Sequence, residues 1–179
     1  EALYYLSLSN KATELIDGYI LMMEDKNLTC LAILLRVQLD NCMRALSGSI
    51  VEDKETYFSN FRDPKIRLNK MKDVNGKKLT DSNPRKYLNA YDDSFGKTYA
   101  LTSEFVHFSG SSLETIFEIK ENEIHFDIGN KYNEKPFKII YEYTKAFLYF
   151  LDLHFALVIE MYRQKKTDAN IKNNSKEYS

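Results

Sequence analysis

Two pairs of polar side chains in this sequence have the types and spacing needed for acid–base or phosphate chemistry. Ser103 and His107 are four residues apart, so on a helix they lie on one face. Arg36 and Asp40 have the same spacing in an earlier stretch with helical periodicity. A histidine can transfer protons near neutral pH, and an arginine can stabilise a phosphate or an oxyanion. These four residues are the candidate catalytic group.

A structural polar cluster is the alternative for the same four residues. In that case Asp40 pairs with Arg36, and His107 hydrogen-bonds Ser103 or a carbonyl, because a partly buried guanidinium requires acceptors. In either case the matched faces predict that the four side chains converge between two helices. The small residues at positions 96 and 100 are predicted to let the partner helix approach.

A second candidate site is the basic stretch from residue 62 to residue 86. It carries nine basic and three acidic side chains, a net charge of +6, whereas the rest of the chain sums to −7. Aromatic residues flank it, and a basic surface beside aromatic rings can hold phosphates and stack bases. The alternative is a solvated surface on a long connecting segment. The candidate nucleic-acid-binding residues are Arg62, Lys65, Arg67, Lys70, Lys72, Lys77, Lys78, Arg85 and Lys86.

The elements that must position these residues are mostly helical. Asn27 is a predicted N-cap, and the helix after it is predicted to end near Ser47 and Gly48. Two β-branched and aromatic runs predict a β-hairpin over Thr115–Ile128, with His125 toward solvent. Apolar residues at three- and four-residue spacing predict four main helices, over about 2–23, 28–47, 91–108 and 137–164.

The fold class predicted from this pattern is all-α. We expect a bundle of four main helices with a long connecting segment and one β-hairpin before the last helix, which is apolar on nearly every side and therefore central. Residues 1–164 are predicted to form a single helical domain, and residues 165–179 a polar, disordered tail. The 179 residues suit one domain, and six Gly with three Pro are too few for a turn-rich β-sandwich.

The sequence predicts neither a metal site nor a cofactor. Its three histidines lack the spacing of metal ligands, and no glycine-rich phosphate-binding loop is present. Cys30 and Cys42, if on one helix, are about 18 Å apart, too far for a disulfide, which favours a reducing cytoplasm. The apolar stretch 146–159 is too short to span a membrane, and we expect no signal peptide.

Two short motifs occur in a fixed order along the chain. Residues 35–40 read Leu-Arg-x-x-x-Asp, and residues 99–109 read Tyr-x-x-x-Ser-x-x-Val-His-x-Ser. This order resembles an uncharacterised family of bacterial all-helical proteins that carry Leu-Arg-x-x-x-Glu and Ser-x-x-Val-His. That family is similar in turn to the HEPN superfamily of helical domains, many of which are ribonucleases of toxin–antitoxin and phage-defence systems.

The resemblance implies an RNA-binding or RNA-cleaving protein of a bacterial defence or toxin–antitoxin system, with a HEPN-like bundle. Active HEPN nucleases carry Arg-x4-6-His within one helix, whereas positions 101–103 here are Leu, Thr and Ser, so Arg36 would have to supply the arginine from the neighbouring helix. The alternative is a non-catalytic helical module that mediates assembly. The candidate partners are RNA and a second copy of the chain, without a membrane or a metal.

Overall fold

A computed structural model describes most of the chain, and the described part is mostly helical, in agreement with the predicted class. It covers residues 1–63, 65–106, 117–120, 123–126 and 135–177, with only the backbone described for 117–120, 123–126, 135–136 and 165–177. The helices are α1 (Ala2–Glu24), α2 (Leu28–Ile50), α3 (Lys54–Asn60), α4 (Ser82–Tyr91), α5 (Ser94–Val106) and α6 (Lys135–Glu177), with a 3₁₀ turn at Leu68–Lys70.

Two short strands lie between α5 and α6. Strands β1 (Phe117–Lys120) and β2 (Glu123–Phe126) are antiparallel, with Phe117 opposite Phe126 and Glu118 opposite His125. The predicted direction of the His125 side chain lies outside the described residues.

Helix α2 begins as predicted and ends later than predicted. The Asn27 side chain accepts a hydrogen bond from the Cys30 backbone N–H at 3.1 Å and caps the first turn. The predicted end near Ser47 and Gly48 is wrong, because Ser47 Oγ donates to the Met43 carbonyl at 2.7 Å and is satisfied within the helix. Gly48 is not a cap either: a Cβ there would lie 2.6 Å from the Tyr5 hydroxyl, so the glycine permits close helix packing.

The central helix is α2, which contacts each of the other five helices. Its apolar face is fully buried, because Leu31, Leu35 and Leu39 have no exposed surface. The prediction that the last helix is central is wrong. Helix α6 packs one face on α2 and leaves a flank in solvent, where the exposed fractions are 62% for Tyr141, 54% for Leu148 and 50% for Ile159.

An aromatic cluster anchors the segment that follows α2. Tyr4 of α1 is buried against Tyr57 of α3, and their hydroxyl groups lie 2.9 Å apart. Val51 and Leu79, at the two ends of the next segment, are buried in the same cluster. The residues between them are therefore tied to the helical core at both ends.

The interface between α2 and α6 contains buried polar groups. Gln38 Nε2 and Cys42 Sγ donate to the Phe150 carbonyl at 3.2 and 3.1 Å. His154 is fully buried, and neither imidazole nitrogen makes a well-formed hydrogen bond with a described residue. Burial lowers the pKa of His154 to about 4, and the Asn41 backbone opposes the shift only in part.

None of the described helices has an apolar stretch long enough to cross a membrane. Cys30 and Cys42 are both free thiols.

Candidate functional site

Arg36 is the centre of a polar cluster between α2 and α5. Its Nη1 donates to Asp40 Oδ1, its Nη2 donates to the Tyr99 hydroxyl, and its Nε lies 3.4 Å from Ser103 Oγ. Only 14% of the Arg36 side chain is exposed, whereas Asp40 keeps 37%. The structure therefore brings together three of the four side chains that the sequence predicts to converge.

His107, the fourth of these side chains, lies outside the described residues. The same holds for Ser109 at the end of the second motif. Proton transfer by His107 stays a prediction.

The local geometry follows from helical spacing. Asp40 is one turn after Arg36 on α2, and Ser103 is one turn after Tyr99 on α5. Ser103 Oγ donates to the Tyr99 carbonyl at 2.7 Å, which leaves the hydroxyl oxygen to accept from Arg36. Each helix thus contributes a fixed pair to the cluster.

The small residues on α5 do not serve the predicted purpose. A Cβ on Gly96 would lie 2.2 Å from Asn89 Oδ1, and the Gly96 N–H donates to that oxygen at 3.0 Å. The absence of a side chain at Gly96 therefore allows α4, and not α2, to approach α5 closely. Ala100 is exposed to solvent.

Tyr99 is a member of the site to which the sequence analysis gave no functional role, although it is the first residue of the second motif. The Arg36 guanidinium carbon lies 3.7 Å from the centroid of the Tyr99 ring, and that of Arg85 lies 4.6 Å from the same centroid. Cations over an aromatic face are attracted by the ring quadrupole. The position of Tyr99 four residues before Ser103, hence on the same helix face, was the available signal.

Asp40 and Asp81, which lie one helical turn from Arg36 and Arg85 respectively, are already engaged. Asp40 accepts from Arg36, and Asp81 at the start of α4 accepts from Arg44 at 2.8 Å. Arg85 is half-buried and forms no ion pair with any residue that the structure describes. Arg85 is therefore a guanidinium beside the Tyr99 ring that pairs with no carboxylate of the described residues.

The basic segment, defined as residues 62–86, presents most of its charge to water. Eight of its nine basic side chains are exposed, and Arg85 is half-buried. Within the described residues, none of the nine forms an ion pair. Among its three acids, Asp73 is fully buried and Asp81 is paired with Arg44. The positive charge of the segment is thus only weakly offset by its own acids.

Asp73 is a buried hydrogen-bond centre that holds the basic segment in shape. Its carboxylate accepts from the backbone N–H groups of Asn75 and Lys77 at 2.9 and 2.8 Å. It also accepts from Asn83 Nδ2 and the Tyr87 hydroxyl, both at 3.0 Å. Burial alone would raise the pKa of Asp73, but these hydrogen bonds outweigh it and the pKa lies below its ordinary value.

The backbone of the basic segment turns back on itself beside Asp73. The Leu79 N–H donates to the Met71 carbonyl at 2.8 Å, and an isolated bridge pairs Lys72 with Lys78. Gly76 occupies the turn with a φ of 73°, a left-handed conformation that glycine adopts without strain. The Lys72 and Lys78 side chains are consequently neighbours on a fixed backbone.

In the described part of the chain, no three His, Cys, Asp or Glu side chains are grouped as a metal ion would require. Comparison of the chain with protein-family models, with curated proteins and with solved structures found no match. The described residues thus form a mostly helical protein in which the Arg36 cluster, with Asp40, Tyr99 and Ser103, lies beside the basic segment.

Proposed function

We propose that this protein is a HEPN-like RNA-binding protein that holds single-stranded RNA on the basic segment. The observation that carries the proposal is that none of the nine basic side chains of this segment forms an ion pair with a described residue. Lys and Arg that neutralise phosphates release condensed counterions, which is the main source of affinity for a nucleic-acid backbone.

The shape of the segment supports binding by a preformed surface. Asp73 fixes the backbone around the turn, and Val51 and Leu79 anchor its ends in the core. Charges on a fixed backbone lose less conformational entropy on binding than charges on an unfolded tail.

Exposed aromatic rings favour RNA over a simple polyanion. Tyr91 at the end of α4 is 78% exposed, and Tyr87 on the same helix is 36% exposed. Unstacked bases of single-stranded RNA bind aromatic faces, at roughly 1–3 kcal/mol per base. The basic side chains would hold phosphates while these rings stack bases.

The motif resemblance adds the finer parts of this proposal. It assigns α1, α2, α5 and α6 to a HEPN-like four-helix bundle, and it places the protein in a bacterial defence or toxin–antitoxin system. If the bound RNA is cleaved, the same resemblance assigns the proton transfer to His107 and charge stabilisation to Arg36.

The test is binding of a labelled single-stranded RNA over a series of salt concentrations, measured by fluorescence anisotropy. One variant changes Lys70, Lys72 and Lys78 to Ala. The matched control changes three other exposed lysines, Lys11, Lys138 and Lys145, to Ala, so that both variants lose the same charge.

The expected result follows from counterion release. Loss of three phosphate contacts should reduce the slope of log Kobs against log salt by about 2, at roughly 0.7 per contact on single strands. The control should keep the slope of the wild type. Equal slopes in both variants would reject the basic segment as the binding surface.

Failure of the wild type to bind RNA at low salt would overturn the proposal altogether. That outcome favours the non-catalytic assembly module, for which the exposed flank of α6, with Tyr141, Leu148 and Ile159, is the candidate surface. If cleavage is observed, a His107→Ala variant should lose it while keeping affinity for RNA.

A further inference from the structure

Three extended stretches of backbone lie side by side in and next to the basic segment. Isolated antiparallel bridges pair Val51 with Asp73 and Lys72 with Lys78, so the stretch 71–74 lies between 50–52 and 77–79. On one side of it the Glu52 N–H donates to the Lys72 carbonyl at 3.0 Å. The position of Lys72 is therefore fixed by backbone contacts on both sides.

The pairing of Lys72 with Lys78 is of the closely spaced kind. The flanking hydrogen bonds run from the Asp73 N–H to the Lys77 carbonyl at 2.7 Å and from the Leu79 N–H at 2.8 Å, on either side of the two lysines rather than between them. Residues paired in this way in antiparallel strands have Cα atoms about 4.5 Å apart and side chains on the same face. The two lysine side chains therefore begin at adjacent points.

The face that carries these two lysines is turned to water. Asp73 and Leu79, which follow them on the two stretches, are buried, and successive side chains of extended backbone alternate in direction. Lys72 and Lys78 are both exposed, as this alternation requires. The hydrogen bonds to the Asp73 carboxylate and the burial of Leu79 hold the backbone beneath them in place.

Like charges directly opposite each other on antiparallel strands are destabilising. Among the residues that the structure describes, neither lysine forms an ion pair that would offset this repulsion. Glu52, on the other side of Lys72, forms no ion pair with it either. The pairing of Lys72 with Lys78 thus opposes folding, and an anion bound between the two ammonium groups would remove the repulsion.

We propose that Lys72 and Lys78 together bind one phosphodiester group of the RNA. The proposal rests on the proposed function and names a directed contact within the basic segment. Each ammonium group can donate to a different unesterified oxygen of the same phosphate at about 2.8 Å. Glu52, Lys72 and Lys78 together carry one positive charge, which matches the single negative charge of an internal phosphodiester.

The test is a double-mutant cycle on the affinity for a ten-nucleotide single-stranded RNA with a 3′ fluorophore at low salt. The cycle consists of Lys72→Gln, Lys78→Gln and the variant with both changes. The matched control cycle combines Lys72→Gln with Lys86→Gln, because Lys86 is an exposed lysine of the same segment that lies on α4. Both double variants lose two positive charges.

Two lysines that share a phosphate should show coupled losses of affinity. Each single variant should weaken binding about fivefold, and the variant lacking Lys72 and Lys78 about tenfold rather than the product of about 25-fold. In the control cycle the two losses should multiply to within about twofold. Losses that multiply in both cycles, or equal coupling in both, would overturn the shared phosphate and leave the proposed RNA binding intact.

The salt dependence of binding counts the phosphates. Loss of Lys72 and Lys78 together should reduce the slope of log Kobs against log salt by about 0.7, as for one phosphate on a single strand. The same sharing lowers the change expected for the variant of Lys70, Lys72 and Lys78 from about 2 to about 1.4. A reduction of about 1.4 on loss of Lys72 and Lys78 alone would assign them to separate phosphates and overturn the proposal.

Titration with inorganic phosphate, followed by the lysine side-chain signals in NMR spectra, separates this proposal from the proposed function. Larger shifts at Lys72 and Lys78 than at Lys86 support the shared site, even where the wild type binds no RNA and the proposed function fails. Equal shifts at all three lysines, or none, overturn the shared site whether or not RNA binds.

Discussion

His154 makes the stability of the α2–α6 interface depend on pH. The unfolded chain takes up a proton on this imidazole near pH 6.5, whereas burial delays protonation in the folded chain to about pH 4. The unfolded state therefore binds more protons between these values, so the stability is fully present above about pH 6.5 and is lost as the pH falls toward 4.

The size of the effect follows from the difference between the two pKa values, about 2.5, at 1.36 kcal/mol for each unit. The full loss is about 3 kcal/mol near pH 4, of which about 2 kcal/mol is already lost at pH 5. Protonation would place a charge in the buried α2–α6 interface, next to the Asn41 backbone.

Urea unfolding at pH 7 and pH 5, for the wild type and for His154→Leu, measures the contribution of His154 to the pH dependence of stability. Carboxylates that titrate at acid pH contribute equally to both proteins and cancel in the difference. The fall in unfolding free energy between the two pH values should be about 2 kcal/mol smaller in the variant. The same fall in both proteins would refute the reasoning, because His154 would then titrate at one pKa whether folded or unfolded.

Further substitutions test packing and polar contacts by thermal and urea unfolding. Gly48→Ala should lower the free energy of unfolding by about 1–3 kcal/mol, because the new Cβ would lie 2.6 Å from the Tyr5 hydroxyl. Gly18→Ala should raise it by about 0.5–1 kcal/mol, because its Cβ would meet no atom closer than 3.8 Å and alanine favours the helix. Similar effects of the two changes would contradict this. Asp73→Asn replaces one accepting oxygen with an NH₂ group that faces other hydrogen-bond donors. It should lower the free energy of unfolding by about 2–3 kcal/mol and leave the helical circular dichroism signal unchanged. Arg36→Ala should cost only about 1 kcal/mol, because its carboxylate partner stays 37% exposed; an unchanged melting temperature would show that Arg36 has no structural role.

The sequence predicted the contacts that depend on helical spacing. Arg36 and Asp40 are one turn apart, so their predicted pairing follows from the period of the helix alone. Tyr99 and Ser103 share a face for the same reason, but that pair was not predicted. The capping of α2 by Asn27 is similarly local and was predicted correctly. Such features need no knowledge of the tertiary structure.

Contacts that depend on long-range packing could not be predicted in this way. Arg85 looked like one more cation of a charged run, and only the packing of α4 against α5 brings it over Tyr99. Asp73 counted as one of three acids, but its four donors come from a turn and from two residues of α4. Gly48 looked like a helix stop because the sequence does not show which ring packs against it.

The central position of α2 determines which parts of this protein can unfold locally. Because α2 contacts all five other helices, removing any one of them uncovers part of α2, and releasing α2 leaves the others without their common neighbour. Its amide hydrogens should accordingly exchange with solvent only through global unfolding, and more slowly than those at the ends of the chain. Arg36 and Asp40 are carried by this helix, whereas most of the basic segment lies on turns outside it. Local opening can therefore loosen the lysines of the segment while the Arg36–Asp40 pair stays in place on α2.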